Sequence, residues 1–359
     1  MPANPGGLLA FATKVVRWQK LHGRHDLPWQ NTREPYKVWL SEVMLQQTQV
    51  ATVLGFYERF LNRFPNVASL AEAPPDAVLG LWSGLGYYSR ARNMHRCAQV
   101  VIAHHGGAFP ESAEKLQSLP GIGPSTAAAI ASFCFSERVA ILDGNVKRVL
   151  TRVLAFQADL STSAAERALW ALASELPPRR DLKESMPRYT QGLMDLGATV
   201  CTRRKPQCGA CPLQDICRSF KEGNPENYPV KSRKLKRSTA DLWLLWLESA
   251  DGSVLLSKRP DKGIWGGLYC LPVFESKDAL LDAIPPDMRQ RLQTVQPFKH
   301  VLTHKDLQLH PIFKSVTATE WLSTPSPWAT GRWLLPAEYC LAGLPSPIRK
   351  LLQTTTQSA

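Results

Sequence analysis

Two carboxylates and four cysteines stand out in this 359-residue chain as side chains whose surroundings suggest chemistry. Glu42 lies in the run Val38-Trp39-Leu40-Ser41-Glu42-Val43-Met44-Leu45-Gln46, and on a helix the side chains one turn away are Val38, Trp39, Leu45 and Gln46. No cation stands where a surface ion pair would form, so the acid is expected to be substantially buried. Burial disfavours the charged form and lifts a glutamate from its usual ~4.3 towards ~6, where it donates a proton near neutrality. A tolerated half-buried residue is the plainer reading. Asp143 joins the apolar Ile141-Leu142 to Gly144-Asn145 and a helix bearing Val146, Val149, Leu150 and Val153. Its ordinary explanation is helix capping, by Asp143 or by Asn145. One protonated acid and one ionised carboxylate are nevertheless what cleavage of a glycosidic C–N bond needs: the first protonates the leaving group, the second stabilises oxocarbenium character.

Cys201, Cys208, Cys211 and Cys217 form C-x6-C-x2-C-x5-C, with Arg203, Arg204, Lys205 and Arg218 interleaved. Four thiolates in one short loop can surround a metal centre. Structural zinc commonly takes two close cysteine pairs; this loop has one, and fits a [4Fe–4S] cluster at least as well. Cys97, Cys134, Cys270 and Cys340 are isolated and read as packing residues. Leu119-Pro120-Gly121-Ile122-Gly123-Pro124 precedes a helix of small residues, Ser125 to Ala131. Gly121 and Gly123 let the backbone approach a ligand, and the helix start offers free N–H groups that suit a phosphate. Glycines also end ordinary turns, so this signal is weak alone.

The elements that must hold these groups are mainly helical in the first two thirds. Apolar residues recur at three- and four-residue steps from Pro35 to Phe60, and again in Ala77–Trp82, Ala127–Phe133, Val146–Leu154 and Ala165–Leu176. After Cys217 come Gly223, Pro225, Pro229 and the basic run Lys231 to Arg237, which reads as an exposed linker of about twenty residues. Strands follow. Leu242–Leu247 and Val254–Ser257 flank Asp251-Gly252, a hairpin pair; Val301–Phe313 reads as further strand, and Ile348–Leu352 as a short terminal helix. The division expected is a helical domain over 1–220 with the cysteine loop at 201–217, a basic linker at 221–239, and a smaller α/β domain over 240–359. A net charge of +13 draws the protein to polyanions. The longest apolar run, Ala127 to Phe135, falls far short of the ~20 residues that span a bilayer, and the amino terminus lacks signal-peptide order. A cytoplasmic, nucleoid-associated protein with no membrane partner is the expectation.

Taken together these segments resemble the helix-hairpin-helix glycosylase superfamily, and closely its MutY-type adenine DNA glycosylases. The resemblance rests on Leu27-Pro28-Trp29, Ser41 to Thr48, Gly84-Leu85-Gly86-Tyr87-Tyr88-Ser89-Arg90-Ala91-Arg92-Asn93, Leu119 to Gly123, Leu142 to Val146, and the cysteine loop, strongly over 15–220 and weakly beyond. It implies a [4Fe–4S] cluster on Cys201, Cys208, Cys211 and Cys217. Glu42 then protonates adenine N7, and Asp143 stabilises or traps the C1′ cation. Trp29, Gln191, Ser125 and Asn145 correspond to the adenine pocket, and Gln191 offers donor and acceptor to a purine edge. Gln47 and Tyr87 match wedge positions that help extrude the base, with Thr48, Leu85, Arg90, Gly121, Gly123 and Lys147 as further DNA contacts. The implied partner is duplex DNA with an A:8-oxoguanine or A:G mispair, bound by a monomer.

Within the superfamily, the branch that cuts DNA through a Schiff base carries a lysine before the hairpin threonine. Here that position is Ser125, and an imine needs an amine, so simple hydrolysis is expected. Lys147, one turn beyond Asp143, reads as a phosphate contact, with adventitious sugar adducts the alternative. The carboxy-terminal part resembles the Nudix-like domain appended for 8-oxoguanine recognition, but lacks the glutamate-dense helix of Nudix hydrolases. The family's Phe-Ser-His loop aligns with Leu302-Thr303-His304; Thr303 keeps the hydroxyl, and Thr303 with His304 is expected to read the lesion. The competing enzyme, a thymine-glycol-type glycosylase with lyase activity, is disfavoured by Ser125 and by the second domain. A non-catalytic DNA-binding or redox module is disfavoured by the presence of both Glu42 and Asp143.

Overall fold

The computed structural model describes residues 5–232, 236–317 and 331–355. The chain divides into two compact units, Met1–Ala71 with Arg96–Lys234, and Glu72–His95 with Leu235–Ala359. The first contains α1 (Pro5–His22), α2 (Pro35–Leu45), α3 (Val50–Arg63), most of α4 (Val67–Glu72), α7 (Ala113–Leu116), α8 (Pro124–Phe135), α9 (Gly144–Leu154), α10 (Ser163–Glu175), α11 (Leu182–Thr199) and α12 (Arg218–Lys221). The continuous apolar face expected from Pro35 to Phe60 is two helices. Gln47 adopts φ 56°, in the left-handed region, and breaks the run between Leu45 and Val50. Pro35 and Pro124 each open a helix, where a missing N–H costs nothing.

One core of this unit joins Phe11 and Val15 of α1, Val146, Val149 and Leu150 of α9, and Met186, Tyr189, Leu193 and Leu196 of α11. Each such side chain taken from water contributes about 1.5–3 kcal/mol. Helix α9 is therefore anchored through its apolar stripe, which sets its amino terminus in place. The linker reading needs correction. Tyr228 is buried and its carbonyl accepts from Arg152 Nε at 3.2 Å; Leu160 N–H donates to the Val230 carbonyl at 3.0 Å; Ser232 N–H donates to Asp159 at 3.2 Å. The segment through Ser232 is thus part of the first unit. Of the basic run, residues 233–235 lie outside the described residues.

In the second unit the described strands form one eight-stranded sheet: β1 (Ser238–Ser249), β2 (Val254–Lys258), β3 (Tyr269–Cys270), β4 (Val273–Phe274), β5 (Gln293–Thr294), β6 (Phe298–Val301), β7 (Lys305–Val316) and β8 (Arg332–Leu334). The spine is a parallel pair, β1 on β7, in register from Ser238 against Lys305 to Ser249 against Val316. The expected β1–β2 hairpin is present, with Gly252 at φ 79°. Val301–Phe313 is not one strand: β6 and β7 pair antiparallel, Val301 against Asp306, and Leu302–His304 is the turn. One sheet face packs Leu245, Leu247, Leu255 and Ile312 against Leu280 of α13 (Lys277–Ala283) and the following Ile284 and Met288.

The contiguous boundary at residue 220 also changes. Glu72–His95, with α5 (Pro75–Trp82) and the start of α6 (Ser89–His105), belongs to the second unit. Ser83 Oγ and Tyr88 OH donate to the Leu344 carbonyl at 2.9 and 3.0 Å, Lys258 pairs with Asp76 at 2.6 Å, and Arg92 Nη2 donates to the Asp261 carbonyl at 3.4 Å. Gly80 lies so close to the Leu341 carbonyl that a Cβ would come within 2.0 Å of it. The terminal helix expected at Ile348–Leu352 runs over Ser346–Thr355. Among the described residues no helix is long and apolar enough to cross a membrane.

Candidate active site

In the first unit a cavity of about 1020 Å³ is lined by Glu42, Asp143, Trp29, Gln191, Ser125, Asn145, Gln47 and Thr48 among others. Most of the side chains assigned to base chemistry are thus brought to one place. Glu42 stands on α2, and among the described residues no hydrogen-bond donor or cation reaches its carboxyl. Burial, and then the charge of Asp143, push it up to about 8. Asp143 does what its simpler reading required as well: it is the N-cap of α9 and accepts from Val146 N–H at 2.7 Å. Burial lifts Asp143 above the ordinary carboxylate range. The N–H groups of Val146 and Asn145, and the charge of Arg148, oppose that shift. The positive end of α9 adds to the same side. Of the two acids, Asp143 is the one supplied with hydrogen-bond donors among the described residues.

A polar frame holds the amino terminus of α9. Asn145 Nδ2 approaches Asp143 Oδ2 at 3.4 Å, and Asn145 Oδ1 accepts from Arg148 Nη2 at 2.8 Å. Arg148 also donates to the Gly197 carbonyl at 2.6 Å and the Cys201 carbonyl at 2.7 Å. Gly197 of α11 has to be glycine: a Cβ there would lie 2.6 Å from Asn145 Cβ. Ser125 Oγ accepts from Leu142 N–H at 3.2 Å, and Gln46 Nε2 donates to Thr126 Oγ1 at 3.3 Å. Trp29 is buried, edge-on to Tyr57 at 5.3 Å. Sequence reasoning missed Arg148, Arg24 and Asp195. Asp195 is fully buried, accepting from Arg24 Nε at 2.7 Å and from Gln191 Nε2 at 2.8 Å. The available signals were spacings: Arg148 is one turn from Asn145, and Asp195 one turn from Gln191.

Two expected DNA contacts have partners within the protein. Lys147 Nζ is in contact with Glu166 Oε1, both side chains part-exposed. Arg90 is buried in the second unit, donating to the Leu85 and Gly86 carbonyls at 3.3 and 3.2 Å, with its guanidinium over Trp82 and Tyr87. Burial lowers Arg90 to about 10. Its observed work is to hold the Gly84–Tyr88 loop, where Gly84, Gly86 and Tyr87 all have positive φ. In that loop Leu85 is buried and Tyr87 exposed, and the Tyr87 hydroxyl lies 2.7 Å from Thr303 Oγ1. His304 is exposed beside it in sequence. The hairpin glycines are placed as expected: Gly121 at φ 78° in the turn between α7 and α8, Gly123 as the N-cap of α8.

The four loop cysteines line a second pocket in the first unit, together with Leu196, Val200 and Leu213. Arg152, 2% exposed, donates to Cys201 Sγ at 3.3 Å and to the carbonyls of Thr202 and Arg203 at 2.7 and 3.0 Å; Ser219 Oγ lies 3.5 Å from Cys217 Sγ. Among the described residues no three His, Cys, Asp or Glu side chains are gathered tightly enough for one metal ion. Four sulfurs around a shared apolar pocket, with a buried cation against one, fit an iron–sulfur cluster, which holds its ligands further apart.

Comparison with known proteins agrees. The model of the HhH-GPD superfamily base excision DNA repair proteins matches residues 40–175, that of the iron–sulfur binding domain of endonuclease III residues 201–217, and that of the NUDIX domain residues 243–354. The chain is 36% identical to the adenine DNA glycosylase of Buchnera aphidicola subsp. Baizongia pistaciae, over 96% of both chains. It is 34% identical to the mouse adenine DNA glycosylase, over 96% of this chain and 77% of the other. A solved thermostable thymine-DNA glycosylase is similar over 60% of this chain and 98% of its own, with a TM-score of 0.53 at 27% identity. A non-covalent endonuclease III–DNA complex shares the fold over 62% of this chain and 99% of its own, TM-score 0.51 at 21% identity. A helix-hairpin-helix domain with a [4Fe–4S] loop, joined to a NUDIX-like domain and alike to these relatives over nearly its whole length, places this chain in the family of adenine DNA glycosylases.

Proposed function

We propose that the chain hydrolyses the N-glycosidic bond of adenine mispaired with 8-oxoguanine or guanine in duplex DNA, and leaves the DNA strand uncut. The observation that carries this reading is the cavity in which Glu42, raised to about 8, faces an aspartate held by backbone N–H groups. Adenine must leave the stack before either group reaches it. Glu42 then passes its proton to N7, which turns the base into a neutral leaving group as the C1′–N9 bond breaks. The Asp143 carboxylate offsets the positive charge that develops on the sugar, and water adds at C1′. Ser125 at the hairpin offers no amine for an imine, and Lys147 is engaged by Glu166. Cys201, Cys208, Cys211 and Cys217 would hold the [4Fe–4S] cluster, which would supply iron–thiolate bonds tying their loop together.

Discrimination of the opposite base falls to the second unit. Thr303 offers a hydroxyl at the β6–β7 turn, hydrogen-bonded to Tyr87 of the wedge loop in the same unit. A modified guanine presents an altered hydrogen-bonding edge, and a hydroxyl can donate or accept. The test is incubation with duplexes carrying one A:8-oxoguanine or one A:G pair, with and without alkaline cleavage. Product only after alkali is expected on both. Strand cutting without alkali, or release of no adenine, overturns the reading.

A further inference from the structure

We propose that Asp195 is a positioning residue that fixes the amide of Gln191 so that its carbonyl oxygen Oε1 is the acceptor offered at the purine 6-position, and that this selects a 6-amino over a 6-oxo purine. The inference deepens the proposed function and rests on its placing of Gln191 against adenine.

An amide side chain has two ends of nearly equal shape, one accepting and one donating, and turning it over reverses the pattern it shows a ligand. On a cavity wall such a residue discriminates only if something decides which end is which. Gln191 lines the active-site cavity on α11, and one turn further along the same helix Asp195 is 0% exposed. Asp195 Oδ1 accepts from Gln191 Nε2 at 2.8 Å. A carboxylate has no proton to give, so only the NH2 end of the amide can face it.

The carboxylate is itself held in place by Arg24. Arg24 N–H donates to Oδ2 at 3.0 Å, Arg24 Nε to Oδ1 at 2.7 Å, and Arg24 Nη2 approaches Oδ1 at 2.7 Å. These charge-assisted bonds make a rigid fork from the α1–α2 connection onto α11. Its effect on Gln191 is to bind one amide proton and leave Oε1 unbound by Asp195. Adenine carries an amino donor at position 6, which Oε1 accepts. Hypoxanthine and guanine carry an oxygen there, which would meet Oε1 acceptor to acceptor. The fork thus converts a reversible amide into a fixed reader. Protonation at N7 by Glu42 is common to all three purines and cannot supply this choice.

The test uses the full-length protein with its cluster, and single-turnover release of adenine against hypoxanthine, each opposite 8-oxoguanine. The wild type is expected to favour adenine. Asp195→Leu keeps the side-chain shape but lets the amide turn over, and the preference should fall roughly tenfold or more, because a mismatched buried edge is no longer enforced. Two variants at Gln191 decide the matter even where Asp195→Leu proves unstable. Gln191→Glu shares one proton with Asp195 and keeps an acceptor towards the base, so its preference should stay near wild type; Gln191→Leu should lose it. A folded, cluster-loaded Asp195→Leu protein with the wild-type ratio overturns the proposal, as does Gln191→Glu behaving like Gln191→Leu. A wild type that releases neither base overturns the proposed function instead.

Discussion

Glu42→Gln should abolish base release and at the same time stabilise the protein, by an amount that depends on pH. In the folded chain burial holds Glu42 at about 8, against an ordinary value of 4.5. The folded state therefore keeps a proton that the unfolded chain has lost, and stability falls as pH rises from 4.5 towards 8. At pH 7 the unfolded carboxyl lies about 2.5 pH units past its midpoint, and at about 1.4 kcal/mol per unit the cost is on the order of 3 kcal/mol. Glutamine has the same shape and no ionisation, so the variant escapes this cost. Below the unfolded value neither form pays it, and the gain should vanish. Paired thermal melts of the first unit's transition at pH 5 and pH 7.5 read the difference, and ~3 kcal/mol corresponds to a rise of several degrees for a unit this size. Single-turnover adenine release reads the loss. A stability difference that is the same at both pH values refutes the claim that Glu42 is held protonated. Normal turnover in the variant removes it from the mechanism.

Asp143→Asn keeps the cap, since asparagine accepts from Val146 N–H equally well, but removes the negative charge; release should fall by ~3 kcal/mol or more in activation free energy while duplex binding is retained, as gel shift and single-turnover rates will read. The pH profile of release should be bell-shaped: the alkaline limb falls near 8 as Glu42 loses its proton, and the acid limb lies above the ordinary carboxylate range because burial raises Asp143. A profile flat through pH 9 contradicts the first assignment. Anaerobically purified protein should hold about four irons per chain and absorb broadly near ~400 nm; stoichiometric zinc without iron would exclude the cluster. Replacing Thr303 and His304 together by Ala should slow A:8-oxoguanine processing far more than A:G processing, and an equal fall on both would show that the turn contributes affinity alone.

Much of the site was legible because it depends on local pattern. Four cysteines in seventeen residues, an acid on a helix with no cation a turn away, and Asp143 before Gly144-Asn145 are each readable from neighbours in the chain, and the fold brings Glu42 and Asp143 into one cavity and all four cysteines around one pocket. What stayed hidden depends on long-range partners. Nothing near Asp195 in sequence points to Arg24, 171 residues away, and Lys147 gives no hint of Glu166. Arg90 is a related case: an arginine beside two tyrosines and glycines reads as a phosphate clamp, and only the folded loop shows that it donates to the Leu85 and Gly86 carbonyls. The split of α2 from α3 was masked because both helices are apolar on the same period, and the break lies in the backbone of Gln47. The assignment of Glu72–His95 to the second unit is likewise a matter of distant contacts, such as those to Leu344.

The division of labour proposed for the two acids follows from where each lies on its helix more than from its type. Glu42 is inside α2, where the backbone N–H groups around it are already committed to carbonyls four residues back. Among the described residues a carboxyl there finds no donor to hold a negative charge, and burial favours its protonated form. Asp143 is the N-cap of α9, where the opening N–H groups have no carbonyl of their own helix to bond and the helix dipole is positive. A half-buried carboxyl there is supplied with donors that favour a charge. The opposite protonation states that the proposed mechanism needs would then arise from a helix interior and a helix start lining one cavity. The same logic gives Arg148 a role: it ties Asn145 to Gly197 and to the Cys201 carbonyl, so the geometry of the capped end is set by α11 and by the start of the cysteine loop. Loss of that tie should act on the carboxylate through its N–H donors, leaving Glu42, on a separate helix, with its proton.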